Sequence, residues 1–333
     1  MAQIQDMMGS FELFQPTELE RALDLLRRHG EEAWVLSGGM DTFDWLKDRA
    51  KRPRYVVDLG GIQELKGIEV SDDGIRIGAM ATLTDVATHS EIRARYPIVA
   101  QAAEKVATPQ IRNQGTLGGN LCQDTRCWYY RSGWPCYRAG GNTCYANAPG
   151  ALNREHCILE ASRCVAVTPS DTAPALLAVD AQMEIHTRRG RRTVAAEDFF
   201  IGPSIDITRM TVLQPTDLLT AIHIPARWAG HPMYFEKVAD RKAWDFALVN
   251  VAAALDVANG TIQDARIAVG GVAARPLRMK ETEQAISGHA PNEQTLEVAA
   301  QAAVQGARPL QFNEYKVALT KNLVKRAIRE ARA

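Results

Sequence analysis

Apolar positions recur at helical spacing early in the chain and at strand spacing soon after. Over residues 16–30, Leu19, Leu23 and Leu26 share one face, Thr17 and Glu20 match a capping box, and Gly30 marks the stop, which predicts a helix. Residues 33–36 (AWVL) read as a short apolar strand running into Ser37-Gly38-Gly39-Met40-Asp41-Thr42, with a helix through Phe43, Trp45 and Leu46 after it. Residues 55–59 give a second strand, and 68–77 a hairpin turning at Asp72-Asp73-Gly74. Thr82 is placed to cap a short helix, and 97–106 align Ile98, Ala102 and Val106 along another.

The second half changes character. Residues 174–179 form a short apolar segment, and 181–187 and 192–195 read as strands around Arg188-Arg189-Gly190. Residues 217–225 and 233–238 add two strands, and 249–257 and 262–269 pair across the Asn259-Gly260 turn. Three helices follow, near 280–286, 292–306 and 312–333; the last carries Leu323, Val324 and Ile328 on one side and basic residues on the other. The pattern predicts a mixed α/β region, then an antiparallel sheet with three helices, divided near residues 226–230.

Composition narrows the function classes. At 333 residues the chain exceeds one comfortable core, and its 46% apolar and 23% charged content is that of a globular protein. A formal net charge of zero gives no electrostatic case for nucleic acid or an anionic membrane surface, and the Arg188–Arg192 cluster reads as a solvated turn. No stretch is long and apolar enough to span a bilayer. MAQIQDMMGSFELF lacks the basic and apolar regions of a secretory signal, so the expected address is cytoplasmic, with export beside a signal-bearing partner left open. The histidines show no metal-ligand pairing, and no G-x-S-x-G elbow supports serine chemistry.

Two features carry candidate chemistry. The pairs Gly38-Gly39 and Gly118-Gly119 each sit where backbone amides can close on an anion, although neither is a standard nucleotide fingerprint. All six cysteines lie between Cys122 and Cys164, in a large chain rather than a small secreted one, which favours a metal over a disulfide framework. Their spacing matches no zinc or ferredoxin pattern, so it supports a four-thiolate site, zinc or iron–sulfur. Trp128, Tyr129, Tyr130, Trp134, Tyr137 and Tyr145 lie among them, suited to shielding a cluster from water.

The stretches SGGMD (37–41), TPQIRNQGTLGGNL (108–121), TPSDTAPALLAVDA (168–181) and YFEKVADRKAWDFALVNVAAAL (234–255) resemble one family: the FAD-binding (medium) subunits of the xanthine oxidase, or molybdenum hydroxylase, family. The resemblance runs nearly end to end. It implies an α+β chain: a two-subdomain FAD-binding (PCMH-type) fold over residues 1–225, then a C-terminal antiparallel-sheet and three-helix domain over 230–333 like that of the CO dehydrogenase flavoprotein. It places the FAD pyrophosphate on Val35, Leu36, Ser37, Gly38, Gly39, Met40, Asp41 and Thr42 and on Thr116, Leu117, Gly118, Gly119 and Asn120. Asp171 would contact the flavin chain, Lys237 would lie near the flavin, and Leu219 would make an apolar contact. Ser37 and Met40 depart from the family's Ala and Thr.

Cys-Gln-Asp-Thr-Arg-Cys at 122–127 resembles the sub-branch of 4-hydroxybenzoyl-CoA reductase and bacterial aldehyde oxidoreductases, whose insert (here about 122–164) holds a 4Fe–4S cluster. Matched residue by residue, the ligands fall on Cys122, Cys136, Cys144 and Cys164, with Cys127 a non-ligand neighbour and Cys157 a competitor for the fourth place. The implied role is an electron-transfer subunit of a heteromeric oxidoreductase. Its implied partners are a molybdenum-cofactor large subunit, a 2Fe–2S small subunit and an external electron acceptor or donor. Catalytic residues for the organic substrate are expected on a partner. The alternatives are a stand-alone flavin oxidoreductase of the same fold and a zinc-pinned interaction subunit.

Overall fold

The computed structural model describes residues 8–331. Three sheets organise the chain. A small parallel sheet, in the order β1 (Glu12–Phe14), β3 (Tyr55–Asp58), β2 (Ala33–Leu36), packs on the helix Leu19–His29 through Leu19, Leu23, Leu26 and Val57. That helix starts later than its sequence pattern suggests. Its cap is Glu18, whose side chain makes no capping bond, and the Leu19 amide donates instead to the Glu64 carboxylate at 3.1 Å. A distant side chain therefore does what Thr17 was expected to do.

The second sheet has five antiparallel strands in the order β4 (Ile68–Ser71), β5 (Gly74–Gly78), β8 (Leu218–Pro225), β6 (Gln182–Thr187), β7 (Gly190–Ala195). Its inner face, with Ile75, Ile77, Met183, Ile185 and Ile222, packs against the helices Leu83–Thr88, Pro97–Glu104 and Thr172–Leu177. Thr82 caps the first of these in a full capping box with Asp85, as expected. The apolar segment after the insert proves to be the helix Thr172–Leu177, buried along its whole length.

The third sheet, β12 (Leu277–Arg278), β11 (Thr261–Gly270), β10 (Val249–Ala258), β9 (Met233–Val238), turns at Asn259-Gly260 as its sequence predicts. Val249, Val251, Ala253 and Leu255 of β10 pack toward the helices Lys280–Ile286, Glu293–Ala302 and Tyr315–Glu330, while Ala252 and Ala254 join the core of the N-terminal region. Successive strand residues point to opposite faces. Burial of both faces explains why VNVAAAL shows no polar alternation. Among the described residues no helix is long and apolar enough to cross a membrane.

Candidate cofactor sites

The strand β2 delivers SGGMD to one wall of a cleft of about 330 Å³, and the Thr116–Asn120 turn forms the facing wall. Glycine is required where the walls approach. A Cβ on Gly38 would stand 2.2 Å from the Gln114 carbonyl oxygen, and one on Gly118 would stand 2.8 Å from Ala79. Gly39 has φ +78°, a conformation other residues adopt only under strain. The Thr116 hydroxyl accepts from the Gly119 amide at 3.0 Å and lies 2.6 Å from the Ser37 hydroxyl, which also donates to the Met80 sulfur at 2.9 Å. Ser37 thus cross-links the two glycine turns, a bond that alanine cannot make. Met40 is 41% exposed at the mouth.

Asn120 shows why the 168–171 motif belongs to the same site. Its side-chain oxygen accepts from Ser170 at 2.7 Å and Thr172 at 2.6 Å, which fixes the orientation of the carboxamide. Val35, Asp41, Thr42 and Leu219 complete the lining among the residues named from sequence. Leu36 and Leu117 do not line it; Leu117 is buried in the core, and its amide bonds the Ala81 carbonyl. Asp171 and Lys237 lie outside the lining and form a buried ion pair at 2.6 Å. Lys237 also donates to the carbonyls of Asp245 (2.7 Å) and Lys105 (3.1 Å), and Asn250 donates to Asp171 at 3.2 Å. Burial raises the Asp171 pKa against the pull of Lys237.

Sequence reading missed Met80, Gln123, Asp124, Gln214 and Asp217, which also line the cleft. The first and last of these sit where β5 and β8 meet the turns, and only the fold brings them there. Gln123 and Asp124 follow directly on the GGNLC motif and were within reach.

The insert forms a second, smaller cavity. Four thiols line it: Cys127, Cys136, Cys144 and Cys164, with Tyr129, Tyr130, Tyr137, Tyr145, Arg138, Arg163 and His156. This grouping differs from the one the resemblance implied. Cys122 lines the first cleft instead, because the turn that presents Asn120 ends at Leu121 and leaves Cys122 on that side. Cys127, five residues on, opens the one-turn helix Trp128–Arg131 and lies among the other three. Cys157 is buried beside Ala146 and Val165 but does not line the cavity, and burial pushes its thiol up to about 12. All six cysteines are free thiols.

Burial pushes Cys127 up to about 11, despite the amides of Tyr130 and Tyr129 that favour its thiolate, and Cys144 and Cys164 add repulsion. Among the described residues no three His, Cys, Asp or Glu side chains converge closely enough for a single ion. A four-iron cluster takes one thiolate per iron and spreads its donors more widely. Tyr129, Trp134 and Tyr145 pack edge to face, with centroids 4.8 to 5.3 Å apart across the two Trp134 contacts. Trp128 is no shield: it is 62% exposed.

Ionic contacts join the two cavities. Asp124, on the cleft, pairs with Arg138, on the thiol cavity, at 2.6 Å, and Lys51 stands 3.5 Å from the same carboxylate. Asp41 of the first glycine turn accepts from Arg126 at 2.7 Å, from Arg131 at 3.3 Å and from the Trp45 indole at 2.9 Å. The later half of the insert docks on the C-terminal domain. Asn313 donates to the carbonyls of His156 (2.9 Å) and Cys157 (3.0 Å), and Lys316 donates to those of Glu155 (2.8 Å) and Gly271 (2.7 Å). The buried His156 ring has its Nε2 3.3 Å from the Cys127 sulfur; burial and the Lys316 charge lower its pKa to about 4.

Comparison with known proteins agrees with this architecture. Residues 9–227 match the family model of the FAD binding domain in molybdopterin dehydrogenase, and residues 234–331 match the CO dehydrogenase flavoprotein C-terminal domain. The aldehyde oxidoreductase FAD-binding subunit PaoB of Escherichia coli is 34% identical over 95% of this chain and 96% of its own length. The carbon monoxide dehydrogenase medium chain of Hydrogenophaga pseudoflava is 30% identical over 96% of each. A solved structure of carbon monoxide dehydrogenase from the same organism superposes with a TM-score of 0.78 over 98% of both chains, at 29% identity. The chain is an oxidoreductase subunit and belongs to the FAD-binding subunits of the molybdenum hydroxylase family.

Proposed function

We propose that this chain is an electron-transfer subunit that holds FAD in the glycine-walled cleft and a 4Fe–4S cluster in the thiol cavity. The observation that carries the reading is the adjacency of the two cavities, joined by the Asp124–Arg138 pair. The cleft suits a dinucleotide. Gly38 packs on Gln114 and Gly118 on Ala79 too closely for a side chain, and the turn at Gly39, with φ +78°, is the kind of backbone that suits pyrophosphate oxygens. Val35, Ser37 to Thr42, Thr116, Gly118, Gly119, Asn120 and Leu219 would line the bound cofactor. Leu36 and Leu117 would support it from behind, and the Asp171–Lys237 pair would lie nearby.

For the cluster we assign Cys127, Cys136, Cys144 and Cys164 as ligands, with Cys122 and Cys157 outside the set. Arg138 places a buried cation beside a group whose thiolates carry negative charge, and the tyrosines limit water. FAD, when bound, exchanges electrons singly or in pairs; the chain's own residues orient it, exclude water and fix the neighbouring charges. The domain division we favour is 1–225 and 230–333, with the insert about 122–164.

The proposed partners are a large subunit with the molybdenum cofactor, a small 2Fe–2S subunit and an external acceptor or donor. Aldehydes are the favoured substrate class, since PaoB carries that description, and their chemistry would take place on the large subunit. The test is the visible spectrum of the native complex with FAD, iron and sulfide analysis. The reading expects one FAD and four irons beyond those of the small subunit's 2Fe–2S centres for each copy of this chain; a complex without flavin, or without iron beyond those centres, overturns the corresponding half. Flavin reduction by an aldehyde in the isolated chain would overturn the division of labour.

A further inference from the structure

We infer that His156 donates an Nε2–H hydrogen bond to the Cys127 sulfur and thereby raises the reduction potential of the cluster, an inference that rests on the four-thiolate assignment above. His156 is 4% exposed, with Nε2 3.3 Å from the sulfur. Its other nitrogen, Nδ1, is buried and has no hydrogen-bond partner. This asymmetry decides where the proton sits. A sulfur bound to iron has no proton to give, so a proton on Nδ1 would leave two lone pairs facing each other and a buried N–H with no acceptor. A proton on Nε2 makes the one bond available and leaves only the Nδ1 lone pair bare.

The ring is also held in place. The His156 amide donates to the Asn153 carbonyl at 3.2 Å, and its own carbonyl accepts from Asn313 at 2.9 Å. Asn153 in turn accepts from the Phe312 amide and donates to the Ala146 carbonyl, so the segment is pinned between insert and C-terminal domain. An N–H aimed at a ligand sulfur stabilises negative charge there, and the reduced cluster carries one more unit of it than the oxidised one. His156 is therefore a positioning residue acting through Cys127, and its loss should move the potential rather than the substrate chemistry.

The test is a redox titration of the cluster signal, by electron paramagnetic resonance, in the native complex and in its His156→Leu and His156→Gln variants. Iron and sulfide are measured alongside. The expected result is full iron content throughout, a midpoint shifted to more negative potential in His156→Leu, and a smaller shift in His156→Gln, which keeps an N–H donor. An unshifted midpoint in an iron-replete His156→Leu complex overturns the inference while leaving the cluster assignment standing. Should that variant fail to fold or load, pulsed resonance on wild-type complex labelled with ¹⁵N-histidine decides: a weak histidine-nitrogen coupling to the reduced cluster supports the bond, and its absence refutes it. Wild-type complex with no iron and sulfide beyond those of the 2Fe–2S centres overturns the cluster assignment, and this inference with it.

Discussion

The glycine-walled cleft and the thiol cavity are neighbours built by opposite means. Backbone makes the cleft: Gly38 stands against Gln114 and Gly118 against Ala79, each too close for a side chain. Side chains make the cavity: four sulfurs, four tyrosines and a buried arginine carried on a loop whose only helix of α type is the single turn Trp128–Arg131. A site made of main chain is specified by residues that must be absent, and a site made of side chains by residues that must converge. At the first, Ser37 and Met40 stand where the family has other residues, whereas at the second five positions along the chain separate a thiol on the cleft (Cys122) from one in the cavity (Cys127).

The sharpest break in this contrast comes from the two cysteines at the start of the insert. Cys127→Ser should abolish most of the cluster iron and sulfide, and Cys122→Ser should leave both unchanged while FAD stays bound. The reverse result would restore the ligand set implied by resemblance. The next largest effect is expected at the ion pair linking the region before β6 to β9. Lys237→Met leaves the Asp171 carboxylate buried without its cation, which costs roughly 3–5 kcal/mol and should appear in chemical denaturation. If the main chain governs the cleft, Gly38→Ala should weaken FAD binding through overpacking of about 1–3 kcal/mol, on the order of ten- to a hundredfold, with iron content intact. Binding titrations on apoprotein measure it. Ser37→Ala, which removes only a hydroxyl cross-link, should cost about 0.5–1.5 kcal/mol at most.

A smaller and pH-dependent effect probes the docking of the insert. Burial holds Lys316 at about 7, well below the usual lysine value of 10.5. Below pH 7 the lysine is charged in both folded and unfolded chains and the folded state bears the burial cost. From there to about 10.5 the unfolded chain binds more protons than the folded one, so stability rises with pH, by up to about 1.4 kcal/mol per unit. Wild type should therefore gain on Lys316→Met as pH climbs from 7 toward 10, and denaturation midpoints at the two pH values check the sign.

Much of this was legible from residue order, for a reason that the same contrast supplies. Glycine pairs, the GGN and TPSD stretches and the Asn259-Gly260 hairpin act locally, and each stands in the fold where its pattern put it. Thr17 is not the helix cap; the helix begins after Glu18, and the remote Glu64 carboxylate takes the Leu19 amide. Leu36 and Leu117 belong to the two motifs but do not line the cleft, and Leu117 is buried in the core beneath it. The cysteines could not be sorted by spacing alone. Cys122 and Cys127 line different cavities, and the contacts that hold this segment, Arg126 and Arg131 on Asp41, reach more than eighty positions back along the chain.

That last contact ties the two sites together mechanically. Asp41 takes two of its hydrogen bonds from arginines that belong to the thiol loop. A displacement of either the loop or the glycine turn therefore breaks charged hydrogen bonds at the lip of the cleft, and strain at one site is passed to the other through a single carboxylate.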